Sequence, residues 1–423
     1  MNIKQLYILS FCVYLIVSIF TFMLYTALPA MIAKEGLSPQ YSGLVFMSML
    51  PFMLSFFYSG FIESFRKRKK SALKILMCGC NLALGLLYFL IAFLDLINDF
   101  YIILGIFVIM NILCSCSIVC LNGVGIEQSN RNQKITLNTI MLLASGLGGA
   151  IGIILSLIIY DKFGFRICNI FLGFSILISC LPLFRLHYVD SIKFIPQKIL
   201  NTLKSKKSWK NILSLILLIF PLVLNNSMSS TLLIYLGFEV SVVGILSGIL
   251  SSLALVIASP LMYSFIRFCG FYNALKITLI FEVLLFTFMA LNMVLWQSHL
   301  YIIITLFLAS LCFGAQFIFC YTLGMRWCED SSQSGVDFSF LRMSENAGFI
   351  IAGIIASQIV GIFVANINDI KSLDSINLSS ISLIFTHKGI DNNLSKAYFY
   401  IFILSAIFAL LGLISIKGVK NEK

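Results

Sequence analysis

The sequence predicts an all-α membrane protein with twelve transmembrane helices in two pseudo-symmetric six-helix bundles. Three observations predict this class: a mean hydropathy of +1.01 over 423 residues, apolar runs long enough to cross a bilayer, and a weak repeat between the two halves of the chain. So much apolar surface cannot be hidden inside one soluble core and requires lipid around the protein. Because the runs are long and do not alternate in polarity, the spanning elements are helices.

Each of twelve apolar runs is close to the roughly 20 residues that a helix needs to cross the hydrocarbon layer. The first run is too long for the apolar core of a signal peptide, and eleven more follow it, so we expect it to be retained. An even number of spans places both termini on the same side. The predicted spans are 5–32, 42–62, 72–95, 101–124, 135–160, 167–184, 211–236, 241–265, 271–296, 299–326, 343–366 and 396–418.

Basic residues are unevenly divided between the two sets of loops. Most of the 29 Lys and Arg residues fall on the side of the amino terminus. Positively charged loops remain cytoplasmic, so the sequence predicts a multi-pass membrane protein with both termini cytoplasmic. The same asymmetry accounts for the net charge of +12 and for FRKRKK, Phe65–Lys70. We therefore predict no nucleic-acid partner.

A polar, basic segment divides the chain into six spans and six. The predicted domains are an N-terminal six-helix bundle (1–185), a cytoplasmic basic linker (186–210) and a C-terminal six-helix bundle (211–423). Glu35–Phe46 aligns weakly with Leu236–Ser247, and repeated halves of this kind build the central site of many secondary transporters. The loop at 366–393 is a second-half insertion, either functional or simply tolerated.

The sequence contains no pattern that predicts a cofactor, a metal site or a catalytic group. The 12 cysteines fall almost entirely within apolar runs, where reduced thiols pack like small apolar side chains, and their spacing makes no zinc ligand set. There is no P-loop and no His/Asp or Asp/Asp cluster near the membrane interface. We therefore predict that the protein is not an enzyme; a lipid-linked acyl- or glycosyltransferase is the alternative.

Three segments resemble motifs of the major facilitator superfamily. GFIESFRKRKK (Gly60–Lys70) is similar to the signature in the loop after span two, SGLGGAIG (Ser145–Gly152) is a glycine run in span five that permits close helix packing, and FGFR (Phe163–Arg166) precedes span six. The resemblance implies the major facilitator fold, in which two six-helix bundles rock around a central cavity. It also implies an acid–base network involving Glu63 and Arg66 or Arg68.

Two longer segments resemble the siderophore-permease branch of this superfamily and its neighbours, the muropeptide permeases and acetyl-CoA transporters. SGVDFSFLRMSENAG (Ser334–Gly348) is similar to their "G-T-D-F-T" segment before span eleven, and Gly36–Ser64 is similar to the segment that enters and forms span two. Ser55 stands where those families carry a Lys. The resemblance implies a siderophore as the cargo.

In this superfamily spans one, four, seven and ten line the substrate cavity, so we select candidate substrate contacts from among their polar residues. LNNSMSST (Leu224–Thr231) in span seven is also expected to unwind locally. Interhelical hydrogen bonding is the alternative role for all of these side chains. The candidates are Tyr25, Asn111, Asn122, Asn225, Asn226, Ser229, Gln316 and Tyr321.

The few ionisable residues near or inside spans are candidates for coupling and gating. Glu282 lies within span nine, where an ionised carboxylate is costly and should be protonated or paired; it and Glu127 are the candidates for proton coupling, with a structural role as the alternative for Glu282. The gate candidates lie at span ends on the cytoplasmic side, where a solvated helix cap is the alternative for the group before span eleven. They are Glu63, Arg66, Arg68, Arg326, Asp337, Arg342 and Glu345.

The predicted function is secondary active transport of a siderophore or ferric siderophore across the bacterial inner membrane by alternating access, as proton-coupled import. The predicted partners are a small-molecule substrate, protons and the lipid bilayer, and the protein is expected to be a monomer. Two alternatives keep the fold and change the cargo: export of a siderophore or an apolar drug, and import of peptidoglycan fragments or peptides.

Overall fold

The computed structural model describes residues 3–68, 72–128, 131–185, 206–328, 334–364, 376 and 390–420. Within these ranges the regular structure is helical, and one isolated bridge pairs Phe238 with Ile376. Short π-helical segments cover Met23–Ala27, Ile151–Leu155, Ile249–Leu253 and Asn292–Trp296. The α-helices are α1 (Ile3–Phe22), α2 (Leu28–Lys34), α3 (Gln40–Met47), α4 (Leu50–Met53), α5 (Ser55–Arg68), α6 (Ala72–Ile91), α7 (Phe100–Gln128), α8 (Arg131–Ala150), α9 (Ser156–Arg185), α10 (Lys206–Ser227), α11 (Ser229–Tyr235), α12 (Val240–Gly248), α13 (Ala254–Cys269), α14 (Phe271–Leu291), α15 (His299–Cys328), α16 (Ser334–Phe363) and α17 (Asn392–Lys420).

Eleven helical segments in the described part of the chain are long and apolar enough to cross a membrane. One of them, Ile140–Arg185, has 46 residues and contains predicted spans five and six. A straight helix of that length would measure about 69 Å, more than twice the hydrocarbon thickness. Gly164 interrupts it with φ 80° and ψ 178°, a conformation that requires glycine. The predicted all-helical, multi-pass membrane protein is confirmed.

Several spans contain irregular backbone, and those of spans one, two and seven bear on the site described below. Span one contains the π-helical segment Met23–Ala27, span two is non-helical at Ser48 and Met49, and span seven breaks at Met228 between α10 and α11. Backbone groups freed by such breaks need new partners inside a membrane. The Tyr398 hydroxyl donates to the Met228 carbonyl at 2.8 Å. The break confirms the expected local unwinding of span seven.

Glycines bring span five close to span one. A Cβ added at Gly148 would lie 2.6 Å from the Leu15 carbonyl oxygen, and one at Gly152 would lie 2.5 Å from the Ile19 carbonyl oxygen. Any larger residue would therefore force the two helices apart. The close packing predicted from the glycine run is confirmed, and small residues are a usual device for helix contacts in lipid.

The described residues form two compact units. The first takes its residues from 1–23, 48–209 and 325–346, and the second from 24–47, 210–324 and 347–423. The second unit therefore combines the carboxyl-terminal part of span one and the amino-terminal part of span two with most of the second half of the chain. The predicted division at 186–210 follows the repeat in the sequence and stays a prediction.

Candidate substrate pocket

A small cavity lies inside the second unit, among helices that the breaks and π-helical segments make irregular. Its volume is about 10 Å³, which is room for about one water molecule. The wall residues come from spans one, seven, eight and ten. They are Thr26, Asn226, Ser229, Leu233, Ser247, Leu250, Ser251, Leu306 and Ser310.

The break in span seven shapes one wall of the cavity. Asn226 precedes Met228 and Ser229 follows it, so the interruption separates two side chains that both reach the cavity. The Ser229 hydroxyl donates to the Asn226 carbonyl oxygen at 2.9 Å. The next residue of span seven, Ser230, donates its hydroxyl to the Thr26 carbonyl oxygen at 2.8 Å, within the π-helical segment of span one. Irregular backbone thus lies beside the polar wall of the cavity. Membrane proteins tolerate non-helical backbone where it is buried in protein or lines a cavity.

The wall carries hydrogen-bonding groups without any charge. Six of its nine residues are Ser, Thr or Asn, the other three are Leu, and none is ionisable. Several hydroxyls donate to their own helix, as Ser310 does to the Leu306 carbonyl oxygen at 2.9 Å, and their oxygens can still accept. The Ser247 hydroxyl is buried at 6% exposure and has no hydrogen-bond partner among the described residues. It is available to a molecule in the cavity.

Two of the predicted cavity residues, Asn226 and Ser229, line this pocket. Sequence reasoning did not select four other polar wall residues: Thr26, Ser247, Ser251 and Ser310. The available signal was the serine-containing run LSGILSS in span eight, Leu246–Ser252. That signal is weak, because serine in a helix usually bonds its own backbone.

Four predicted cavity residues occupy other positions in the second unit. Tyr25 stacks on Phe46 with ring centroids 5.6 Å apart, and Asn225 is buried beside the pocket residue Asn226. Tyr321 packs with Phe317 at 6.1 Å between ring centroids. The amide of Gln316 donates to the carboxyl group of Glu282.

Asn111 and Asn122 belong to α7 in the first unit. The Asn111 amide donates to the Ser48 hydroxyl at 3.3 Å and to the Phe107 carbonyl oxygen at 3.0 Å. It thereby ties span four to the interruption in span two. Asn122 is half-buried. Both remain predictions as substrate contacts.

In the first unit, α16 contacts spans one and two. Arg342 and Glu345 form an ion pair at 3.3 Å, and the Tyr14 hydroxyl of α1 faces the Arg342 guanidinium group. Phe340 packs on Phe56 with ring centroids 4.8 Å apart. Glu345 lies three turns inside α16, beyond the reach of the helix-end dipole, so the cap alternative does not apply to it.

Arg66 is a further gate candidate that the structure describes. Arg66 is completely buried in α5. The side chains of four gate candidates and one coupling candidate lie outside the described part of the structure. They are Glu63, Arg68, Arg326, Asp337 and Glu127. Among the described residues, no group of three or more His, Cys, Asp and Glu could hold a metal ion.

Comparison with solved structures shows transporters of the same fold. The nucleoside transporter NupG superposes with a TM-score of 0.67 at 15% sequence identity, covering 99% of this chain and 100% of that chain. A bacterial homolog of the human lysosomal transporter Spinster gives 0.66 at 14% identity, covering 97% and 95%. A D-xylose-proton symporter gives 0.63 at 12% identity, covering 97% of each.

No curated protein matches the chain significantly. The family profile described as Major Facilitator Superfamily matches residues 10–238, more than half of the sequence. This match agrees with the helical architecture and with the transporters that share the fold. The chain therefore belongs to the major facilitator superfamily.

Proposed function

We propose that this protein is a secondary active transporter that moves a small, uncharged, hydrogen-bonding organic solute by alternating access. The uncharged wall of the pocket in the second unit carries the proposal. Its six Ser, Thr and Asn side chains and three Leu side chains offer hydrogen bonds and apolar contact in one place.

The pocket chemistry favours hydroxyl-bearing solutes over ionic ones. A charged group that left water for this wall would find no opposite charge among its nine residues, and that desolvation is expensive. A solute hydroxyl, in contrast, can donate to the oxygens of Asn226 or Ser251 and accept from the Ser247 hydroxyl. The Leu side chains suit the apolar faces of a sugar or base ring.

The pocket is closed in this structure. A cavity of about 10 Å³ cannot hold an organic solute. In the second unit, span two packs tightly on span eleven, since a Cβ at Gly353 would lie 2.2 Å from the Phe46 ring. Transport therefore requires the pocket to expand, within a unit whose helices are closely packed.

Nucleosides and D-xylose are sensible first probes, because both are uncharged and carry several hydroxyls. The structures of a nucleoside transporter and a D-xylose-proton symporter share this fold. Their sequence identities of 15% and 12% support the fold alone, so the choice of probes rests on the pocket chemistry.

A siderophore is the second candidate cargo. The similarity of Gly36–Ser64 and Ser334–Gly348 to siderophore permeases favours it. The neutral wall suits only a ferric complex without net charge, since a polycarboxylate ligand would require Arg or Lys partners. Proton-coupled import through a bacterial inner membrane, with both termini cytoplasmic, is the proposed direction and topology.

The test is uptake by the purified full-length protein in proteoliposomes with an inward proton gradient. The probes are radiolabelled uridine, D-xylose, an uncharged ferric siderophore and a ferric polycarboxylate siderophore. We expect accumulation of an uncharged probe, and a several-fold higher KM in S247A and N226A. S227A is the matched control, because its hydroxyl bonds the Leu224 carbonyl oxygen and lies outside the pocket wall. Uptake of the charged complex alone would contradict the proposal.

A further inference from the structure

Glu282 places a carboxyl group in the interior of the second unit. It lies on the side of α14 that carries the buried residues Leu275, Leu279 and Phe286, and its side chain is 0% exposed. Leu284, on another side of the same helix, is 64% exposed. The carboxyl group therefore faces protein, away from the apolar surface that meets lipid.

Glu282 has one hydrogen-bond partner among the described residues. The Nε2 amide of Gln316, on α15, donates to Glu282 Oε1 at 2.9 Å. Glu282 Oε2 and Gln316 Oε1 are both buried and have no partner in the described part of the chain. The ionisable neighbour is Cys312, one turn before Gln316, and no described Lys, Arg or His faces the carboxyl group from α13, α15 or α17.

These contacts suit a neutral carboxylic acid and not a carboxylate. A buried carboxylate requires a cation or several donors, and the described surroundings supply one amide. A proton on Oε2 converts an unpartnered acceptor into a donor. The Oε1 atom of the same Gln316 amide is the acceptor that such a donor requires.

We propose that Glu282 holds a proton in this closed structure, and that the Glu282–Gln316 pair is a proton-binding site distinct from the solute pocket and linked to it by α15. Glu282 is the proton-binding residue, and Gln316 is its positioning residue. This inference rests on the proposed transport function only for the coupling and not for the protonation.

The helix α15 connects the two sites physically. Leu306 and Ser310 of α15 line the solute pocket, and Gln316 follows Ser310 by six residues. On an α-helix this spacing corresponds to about 9 Å along the axis and about 120° around it. One face of α15 therefore forms the pocket wall while another holds the acid–amide pair.

Proton release from Glu282 changes the charge that the Gln316 face of α15 must accommodate. The Oε2–H bond of Glu282 breaks, the proton passes to a water molecule that reaches the site, and a carboxylate remains. The carboxylate is poorly accommodated where the neutral acid was stable, so α15 must move to admit water or another donor. Such a movement also displaces Leu306 and Ser310.

The first experiment needs no solute. Infrared spectroscopy of the purified full-length protein in lipid, at neutral pH, should show the C=O stretch of a buried protonated carboxyl group. The band should disappear in E282Q and shift in Q316L, which removes the hydrogen bond of the amide. T278V should keep the band unchanged, because Thr278 lies one turn from Glu282 and bonds its own helix at Ala274. Absence of the band, or its survival in E282Q, would overturn the protonation.

The second experiment tests the coupling with the same proteoliposomes and labelled uridine or D-xylose. E282Q carries a permanently neutral side chain, so we expect it to exchange solute across the membrane while its proton-driven accumulation falls to the equilibrium level. Accumulation by E282Q at the normal level would overturn the coupling. Loss of exchange in E282Q, with exchange intact in T278V, would overturn the separation between the proton site and the solute pocket.

The two experiments separate failure of this inference from failure of the proposed function. If no uncharged probe is transported by any variant, the proposed function fails, and the infrared result still decides whether Glu282 holds a proton. If the probes are exchanged but E282Q accumulates them normally, the function stands and the coupling role fails.

Discussion

The Ser230 hydroxyl donates a hydrogen bond of 2.8 Å to the carbonyl oxygen of Thr26. This bond joins α11, just after the break in span seven, to the π-helical segment of span one. Thr231 extends the same contact by donating to the Pro29 carbonyl oxygen at 3.4 Å. Both bonds lie within the second unit beside the candidate pocket, so they fix the carboxyl-terminal part of span one over the pocket wall.

Removing the Ser230 hydroxyl should loosen this part of span one. A net hydrogen bond contributes about 0.5 to 1.5 kcal/mol, which corresponds to about a 2- to 13-fold shift in the equilibrium between attached and detached states. We therefore expect S230A to label faster with a maleimide at a cysteine introduced in place of Thr26. The control is S227A in the same T26C background, and equal labelling rates in the two variants would contradict the role of this bond.

Gly353 should tolerate no larger residue while Phe46 is present. A Cβ at Gly353 would lie 2.2 Å from the Phe46 ring, and overpacking of this kind typically costs about 1 to 3 kcal/mol. We expect G353A to lower the thermal unfolding temperature in detergent and the double variant G353A/F46A to recover part of the loss. G79A is the control, because nothing lies within 4 Å of a Cβ at Gly79. If G353A and G79A melt alike, spans two and eleven do not pack as described.

Arg342 should stabilise the interior of the first unit through Glu345. The pair is formed at 3.3 Å, with side chains 24% and 11% exposed, so its contribution lies between those of exposed and buried ion pairs. We expect R342A to cost about 1 to 2 kcal/mol of stability on that basis and R342K to cost less, because Lys keeps the charge.

Transport measurements on the same variants distinguish a gate from a purely structural pair. If the pair gates transport, R342A should change the transport rate per folded molecule, and Y14F should do so in the same direction because Tyr14 faces Arg342. If R342A loses stability while the rate per folded molecule stays normal, the gate assignment is wrong and the pair only holds α16 in place.

The sequence predicted those features that depend on local composition. Apolar runs located the spans, SGLGGAIG located the close contact at Gly148 and Gly152, and LNNSMSST located the break at Met228. Each of these signals resides within one segment of the chain, because it depends on the length of an apolar run, on the absence of a Cβ or on hydroxyls that compete for backbone hydrogen bonds.

Pairings between spans could not be predicted from sequence in the same way. A polar side chain indicates that its side of a spanning helix faces protein or a cavity, but not which helix or which cavity it meets. Gln316 was assigned to the cavity together with Tyr321 of the same span, whereas the structure bonds its amide to Glu282. Ser247 was overlooked because span eight is not among the four spans assigned to the cavity, and its serine-containing run is only a weak signal.

Asn111 offers a test between the two roles that the sequence left open for polar residues in spans. Its amide bonds Ser48 and Phe107 and its side chain is fully buried, so N111L should destabilise the first unit, by about 1 to 3 kcal/mol if it leaves buried partners unsatisfied. A structural role predicts a lower unfolding temperature with a normal KM for the transported solute. A substrate contact predicts a raised KM with a nearly normal unfolding temperature.

Ser48 supplies the matched control, because S48A removes the same hydrogen bond from the other side. If N111L raises KM and S48A does not, Asn111 contacts the solute. Equal losses of stability in both variants would instead show that Asn111 holds span four against the interruption in span two.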